Sequence, residues 1–324
     1  MPARAELTGL LSTLRAYAIP LRTRFRGITV REGALLRGPA GWGEFSPFPE
    51  YGPAESSRWL ASAIEAAVVG WPAPVRDRVG VNVTVPAVGA ARAFEITAGS
   101  GFRTAKVKVA EPGQALADDI ERVAAVRDAL GADGRIRVDA NGGWDVDQAA
   151  TALRRLDAYR LEYAEQPCAS LDELARLRSR TAVPLAADES IRKAEDPLAV
   201  RAAGAADIVV LKVAPLSGVR PALAIAAECG LPVVVSSAVE SSVGLAAGVA
   251  LAAALPDLPY DCGLGTRLLL TGDVTADSLV PAGGYLPVTA VTPDQDLDQE
   301  SMSAWEIDPA PWRERALAAS EFLA

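Results

Sequence analysis

The feature that most restricts what this chain can fold into is a rhythm. From Val81 onward, short β-branched runs recur at Val81–Val85, Thr104–Val109, Arg135–Asp139, Leu161–Glu165, Pro184–Asp188, Ile208–Val213, Pro232–Ser236 and Leu258–Asp261. Between most of them lie Ala-, Leu-, Arg- and Asp-rich stretches of helical spacing, such as 117–130 and 147–156. The run-end residues Lys108, Asp139, Glu165, Asp188, Lys212 and Ser236 stand 23 to 31 residues apart. That interval holds one strand, one helix and two loops, and about eight repeats of it predict a closed barrel. The last unit lacks a clear closing helix. The expected fold class is therefore α/β, a TIM-like (β/α)7β barrel over residues 81–282.

Residues 1–80 have a different texture. Ile28–Leu36 alternates as a strand, Gly38-Pro39-Ala40-Gly41 turns, and Trp42–Phe45 completes a hairpin. Ser56–Val69 has helical apolar spacing. Together they predict an α+β capping domain. The tail, 283–324, is acidic and then helical from Pro311, and is expected to return to that domain.

Composition narrows the chemistry. The chain has no histidine, so Ser-His-Asp, Cys-His and His-ligated metal chemistry are excluded. Proton transfer near neutral pH must then use carboxylates, lysines, tyrosines or a metal-bound water. The net charge of −9 argues against nucleic acid or an anionic membrane as partner, though a local positive pocket is allowed. Cys168, Cys229 and Cys262 are scattered and read as reduced, buried thiols. Arg4, Glu6 and Arg15 interrupt any signal-peptide core, and the longest apolar run, Val243–Leu255, is too short to span a bilayer. The expectation is a cytoplasmic protein that takes a small-molecule carboxylate. Oligomeric state stays open.

A barrel of this kind places its site at the C-terminal ends of the strands, where the βα loops open. Here the second run ends Lys106-Val107-Lys108, the third Asp139-Ala140-Asn141, the fourth Glu165-Gln166-Pro167 and the fifth Asp188-Glu189-Ser190; the sixth holds Lys212. Strand side chains alternate, so Lys106 shares a direction with Lys108, and Asp139 with Asn141. Taken singly, each acid reads first as a helix cap or turn residue, and each lysine as a snorkelling one. Five successive strands ending in ionisable groups at one register read otherwise. Pointing inward, they bring three carboxylates together with lysines beside them.

Carboxylates so placed repel one another, and a hard divalent cation removes the penalty. Three oxygen ligands suit Mg²⁺ best and Mn²⁺ next. Open coordination positions would accept a substrate carboxylate, and nearby positive charge would lower the pKa of a lysine until it serves as a base. The expected chemistry is proton abstraction next to a carboxylate, with the cation stabilising the enediolate. Glu189 should face away from Asp188, and an ion pair or a ligand role are both open to it.

These residues resemble the enolase superfamily, in its Lys/Lys, muconate-lactonizing-like branch with KxK, DxN, ExP and DE motifs and a later lysine. The resemblance covers nearly the whole chain. Within it, Val235 to Gly244 and Gly263-Leu264-Gly265-Thr266 are similar to the o-succinylbenzoate synthase family, lyases of menaquinone biosynthesis. That resemblance implies Mg²⁺-dependent syn-dehydration of 2-succinyl-6-hydroxy-2,4-cyclohexadiene-1-carboxylate. It implies Asp139, Glu165 and Asp188 as metal ligands, supported by Asn141 and Gln166. Lys108 would take the α-proton and return it to the departing hydroxide, Lys212 would stabilise the enediolate, and Lys106 would assist beside Lys108. Asn141, Ser236, Ser237, Gly263, Gly265 and Thr266 would contact the substrate. Gly263 and Gly265 read equally well as a tight turn after the eighth strand. The segments Leu21–Gly27, with Arg22, Arg24 and Arg26, and Phe45–Tyr51 are candidates for loops over the barrel mouth.

The same lysine pair would serve an N-acylamino-acid racemase or a dipeptide epimerase. An epimerase of that branch would carry DxD on the eighth strand, whereas Asp261-Cys262-Gly263 keeps only the first acid. A Schiff-base lyase or aldolase using Lys212 leaves the three acids without a purpose. A non-catalytic scaffold leaves both acids and lysines without one.

Overall fold

The computed structural model describes residues 4–192, 197–288, 297 and 299–323. Helix α1 (Arg4–Ser12) leads into β1 (Arg15–Phe25), β2 (Ile28–Gly38) and β3 (Gly41–Phe45), followed by α2 (Pro53–Ile64), which continues as a π-helical turn over 65–69. A short β4 (Arg78–Gly80) opens the barrel region. Its parallel strands are β5 (Val83–Val85), β6 (Thr104–Lys108), β7 (Arg135–Asp139), β8 (Leu161–Glu165), β9 (Leu185–Ala187), β10 (Ile208–Leu211) and β11 (Val233–Val235). Between and after them come α3 (Ala90–Ala98), α4 (Leu116–Leu130), α5 (Val146–Leu156), α6 (Leu171–Arg178), α7 (Glu189–Arg192), α8 (Ala199–Ala202), α9 (Val219–Cys229) and α10 (Ser242–Ala254). The chain ends with β12 (Tyr285–Pro287), α11 (Gln299–Ser303), β13 (Glu306–Ile307) and α12 (Ala310–Ser320).

The seven parallel strands lie side by side in chain order, which is the barrel architecture that the rhythm predicts. The eighth run differs. Pairing falls at Cys262, bridged to Val81, and at Gly263, bridged to Ser236, rather than on a strand over Leu258–Asp261. Pro259 lacks the N–H that a ladder needs, and these two bridges close the ring. A separate antiparallel sheet has the order β13-β1-β2-β3, and α12 lies against α2. Part of the tail, 289–296 and 298, lies outside the described residues.

Strand β1 carries no clear sequence signal, because Pro20 interrupts it and the register with β2 slips between Pro20 and Phe25. The expected lid segment 21–27 is accordingly the end of this strand plus a two-residue turn. Arg26 and Gly27 take φ of 50° and 80° there, as a tight hairpin requires.

Alternation assigns each barrel side chain to a layer. Ala105, Val107, Ile136, Val138, Ala164, Leu185, Ala187, Val209, Leu211, Val233 and Val235 join the core between strands and helices. The residues between them point inward: Tyr163, Ala186, Ile208, Val210 and Val234 form a separate small cluster. Two residues further along, toward the C-terminal ends, the inward position becomes ionic or polar: Glu165, Asp188, Lys212 and Ser236. Nearer the base, Arg137 is fully buried, pairs with Glu162, donates to Asp261 O at 2.6 Å and lies over the Tyr163 ring at 4.7 Å. It thereby ties β7 to the minimal eighth segment. Removing one partner of a buried pair leaves the other charge uncompensated, so Arg137→Met should cost about 3–5 kcal/mol of stability. Urea unfolding measures this, and a loss under about 1 kcal/mol, the scale of a surface pair, would contradict the role.

Candidate active site

The inward column at the C-terminal ends builds one cavity. Lys106 and Lys108 on β6, Asp139 and Asn141 at the end of β7, Lys212 after β10, Ser236 and Ser237 after β11, and Gly263 and Thr266 line it together. Glu165 ends β8 in register with Asp139, and Asp188 follows β9. These three carboxylates are almost wholly buried, at 1%, 1% and 0% exposure. Gly265 stands apart. A Cβ there would meet Asn82 O at 2.6 Å, so its small size serves backbone packing after the closing bridge.

Cations face each acid. Lys108 Nζ donates to Asp139 Oδ2 at 2.6 Å and to Asn141 Oδ1. Lys106 lies 3.0 Å from Glu165 and 3.2 Å from Asp139. Lys212 pairs with one oxygen of Asp188, and Arg192 Nε donates to the other at 3.1 Å. The backbone behind them is held as tightly. Gln166, at φ +38°, accepts from the N–H groups of Asp188 and Ser190 at 3.0 and 3.1 Å. Asn141, at φ +47°, accepts the Lys108 proton and donates to Glu189 Oε1 at 3.1 Å. Glu189 also pairs with Arg192, so of its two open readings the ion pair is present.

Burial raises every carboxylate here, and the neighbours then separate them. Asp139 is held well below the usual range because Lys108 and Lys106 outweigh its burial. Asp188 falls to about 2 because Lys212 and Arg192 outweigh its own. Glu165 is pushed up to about 7, by burial and by the charge of Asp139, which Lys106 only partly offsets. Burial lowers Lys212, whereas Glu165 and Asp139 overcome it at Lys106 and raise that ammonium.

Among the described residues no three His, Cys, Asp or Glu side chains stand in a preformed metal-binding cluster; the lysine ammonium groups sit against the carboxylates instead. The donor chemistry nonetheless fits a hard cation. It is all oxygen and buried, and one member, Glu165, is held far from its ordinary ionisation for want of positive charge.

Residues 89–293 match the family model "Enolase C-terminal domain-like", and 16–67 match "Enolase N-terminal domain-like". A Thermobifida fusca protein named o-succinylbenzoate synthase is 66% identical over 307 residues, covering 95% of this chain and 96% of its own. The chain belongs to the o-succinylbenzoate synthase family. A Mycobacterium leprae member is 58% identical, with 89% of this chain and 86% of its own length covered. The fold is also that of the muconate lactonizing enzyme from Pseudomonas fluorescens, at TM-score 0.79 and 22% identity, over 91% of this chain and 98% of that one. Like the family's members, this chain is a lyase of the enolase superfamily, and the superfamily implies a divalent metal.

Several cavity residues escaped the sequence reading. Thr84 is the inward residue of β5, and its hydroxyl has no hydrogen-bond partner among the described residues. An inward threonine on the first strand followed from the same alternation. Phe25, Arg26, Phe48 and Trp59 come from the cap; Arg26 and the segments 21–27 and 45–51 were expected over the barrel mouth, whereas 56–69, which holds Trp59, was read only as a helix. Arg192 donates to Tyr51 Oη at 2.8 Å, and Arg26 reaches the same oxygen at 3.0 Å. No spacing rule links residues so far apart in sequence.

Glu165 sets a pH dependence. Its carboxyl rises from 4.5 unfolded to about 7 folded, so the fold binds its proton more readily than the unfolded chain does. Stability from this group is present at low pH and falls as pH rises through that window. Asp139 and Asp188, both lowered, act only below the ordinary carboxylate range. Glu240 and Asp119, also raised by burial, share the sign, so a difference measurement isolates Glu165. In EDTA, the drop in Tm from about pH 5 to about pH 8 should be larger in the wild type than in Glu165→Gln. Equal drops would remove the assignment. Mg²⁺ should raise the wild-type Tm more at the upper pH, because a cation binds the ionised carboxylate.

Proposed function

We propose that this chain dehydrates 2-succinyl-6-hydroxy-2,4-cyclohexadiene-1-carboxylate to o-succinylbenzoate, with Mg²⁺ held by Asp139, Glu165 and Asp188. The observation that carries the reading is the pair Lys108 and Lys212, which line one buried cavity from β6 and from the end of β10. When bound, the divalent cation supplies positive charge against the substrate carboxylate as negative charge develops on it.

Lys108 then serves as the base for the proton on the carbon that bears the carboxylate. Asn141 Oδ1 and Asp139 orient its Nζ, which takes the proton as the neutral amine. The C–H pair becomes the new ring double bond, the bond to the neighbouring hydroxyl breaks, and Lys108 returns its proton to that oxygen. Water leaves from the same face and the ring becomes aromatic. Lys212, paired with Asp188, keeps an ammonium toward the developing oxyanion charge from the other side. Ser236, Ser237, Gly263 and Thr266 form the wall for the succinyl arm, with Ser237 and Thr266 hydroxyls bonded to each other.

The acidic chain holds a dianion because the cavity reverses the local sign: three lysines and two arginines, Arg26 and Arg192, border it. We propose a cytoplasmic location and no nucleic-acid or membrane partner. Among the described residues no helix is long and apolar enough to cross a membrane.

The direct test is formation of o-succinylbenzoate with and without EDTA. Lys108→Ala should lower kcat by roughly 10²–10⁴-fold, the range for a positioned general base. Activity that survives both changes would defeat the reading. An N-succinyl amino acid in D₂O tests the racemase alternative, since α-deuteration with inversion but no dehydration would favour it.

A further inference from the structure

One wall of the cavity is held in an unusual backbone state from outside the barrel. Val239 lines the cavity at 3% exposure with φ of +63°. A β-branched residue in the left-handed region is disfavoured by its own Cβ, and persists only where surroundings over-determine it. The surroundings here belong to the capping sheet. Arg31, on β2 and itself 1% exposed, donates from Nε to Val239 O at 3.1 Å. The rest of its guanidinium is fixed: Nη1 donates to Glu32 O at 2.9 Å, Nη2 donates to Ser46 O and Ser46 Oγ, and the plane lies 4.5 Å over the Phe48 ring.

The residues on both sides of Val239 are pinned as well. Ala238 N–H donates to Glu240 Oε2 at 2.7 Å, and Val239 N–H to Ser237 Oγ at 3.3 Å. Glu44 on β3 accepts from Ser241 Oγ and from Gly244 N at 3.0 Å, while Tyr17 Oη holds its other oxygen at 2.7 Å. The segment 236–241 thus runs between two cap anchors. Val239 is the only one of its residues whose backbone is driven out of the ordinary regions.

We propose that Arg31 is a positioning residue for substrate specificity, holding Val239 in the left-handed conformation so that residues 236–239 present a fixed wall to the succinyl arm. This rests on the functional reading above. Lys108 and Lys212 stand on other strands, so losing the restraint should weaken substrate binding far more than proton transfer. The charge of Arg31 also favours the ionised form of buried Glu240, and a purely electrostatic role is the competing account.

Glycine separates the two, because it adopts the left-handed state without restraint. Arg31→Lys keeps the charge but loses the forked donor set. It should raise KM for the cyclohexadiene substrate about tenfold, with kcat within about threefold of the wild type. Because the Val239 side chain itself lines the cavity, the reference is Val239→Gly alone, and adding Arg31→Lys to that variant should leave its KM within about threefold. Hydrogen exchange over 236–243 should speed in Arg31→Lys while the barrel strands keep their protection. Unchanged KM and exchange in Arg31→Lys would overturn the proposal. So would a rise in KM on Arg31→Lys that persists in the Val239→Gly background. If Arg31→Lys fails to melt cooperatively, the double variant decides: folding with the KM of Val239→Gly alone supports the restraint, and failure to fold refutes it. A wild type that forms no o-succinylbenzoate defeats the functional reading alone, and the exchange measurement then judges the role of Arg31 independently.

Discussion

Buried negative charge at the top of the barrel is the constraint on which the rest depends. Asp139 and Glu165 pair in register on β7 and β8, Asp188 stands two residues beyond the partner of Glu165 just past β9, and alternation points all three inward. Each carboxylate deprived of water demands a cation, and the adjacent strands supply Lys106, Lys108 and Lys212 at the same level. The supply is uneven. Asp139 has two ammonium groups within 3.2 Å and Asp188 has an ammonium and a guanidinium, while Glu165 has Lys106 alone. The raised Glu165 carboxyl records that shortage. A divalent cation would end it and would release the lysines from the acids, so the proposed metal and bases would be two parts of one charge balance.

The cap enters this balance through arginines. Arg192 touches Asp188 and Glu189 and also donates to Tyr51 of the cap, where Arg26 converges. Arg31 and Glu44 fasten the cap to the segment after β11. Both ties use guanidinium or carboxylate forks with several bonds each, the groups suited to fixing direction as well as distance. The cap therefore does more than cover the barrel mouth. It holds Asp188, one of the proposed metal ligands, through Arg192 and Tyr51, and through Arg31 the wall proposed for the substrate.

Much of this was legible in the sequence because periodicity and alternation are local. The spacing of Lys108, Asp139, Glu165, Asp188 and Lys212 specifies strand–helix repeats, and period-two alternation specifies which residues share a face. Val81–Val85 applied to the same rule would have given Thr84, whose lone hydroxyl faces the cavity. The eighth strand was overread, since Pro259 interrupts the ladder that its apolar residues suggest. Arg31, Tyr51 and Arg192 were illegible for a different reason. Their roles come from contacts between segments over 100 residues apart, where neither propensity nor pattern carries information. β1 was hidden by Pro20, which breaks the alternation that would have announced it.

The absence of histidine gains its meaning at this point. A histidine base brings its own pKa near neutrality, whereas a lysine must be moved there by its surroundings. Here the surroundings are a buried cavity of paired acids and lysines, in which burial lowers Lys212, the cation facing the developing oxyanion, against the pull of Asp188. The same burial that disfavours its charge disfavours unpaired carboxylates. A chain without histidine that abstracts protons near neutral pH is thus driven to place acids and lysines in one desolvated pocket. A barrel that brings successive strand ends to one level is a fold that can do this with so few residues.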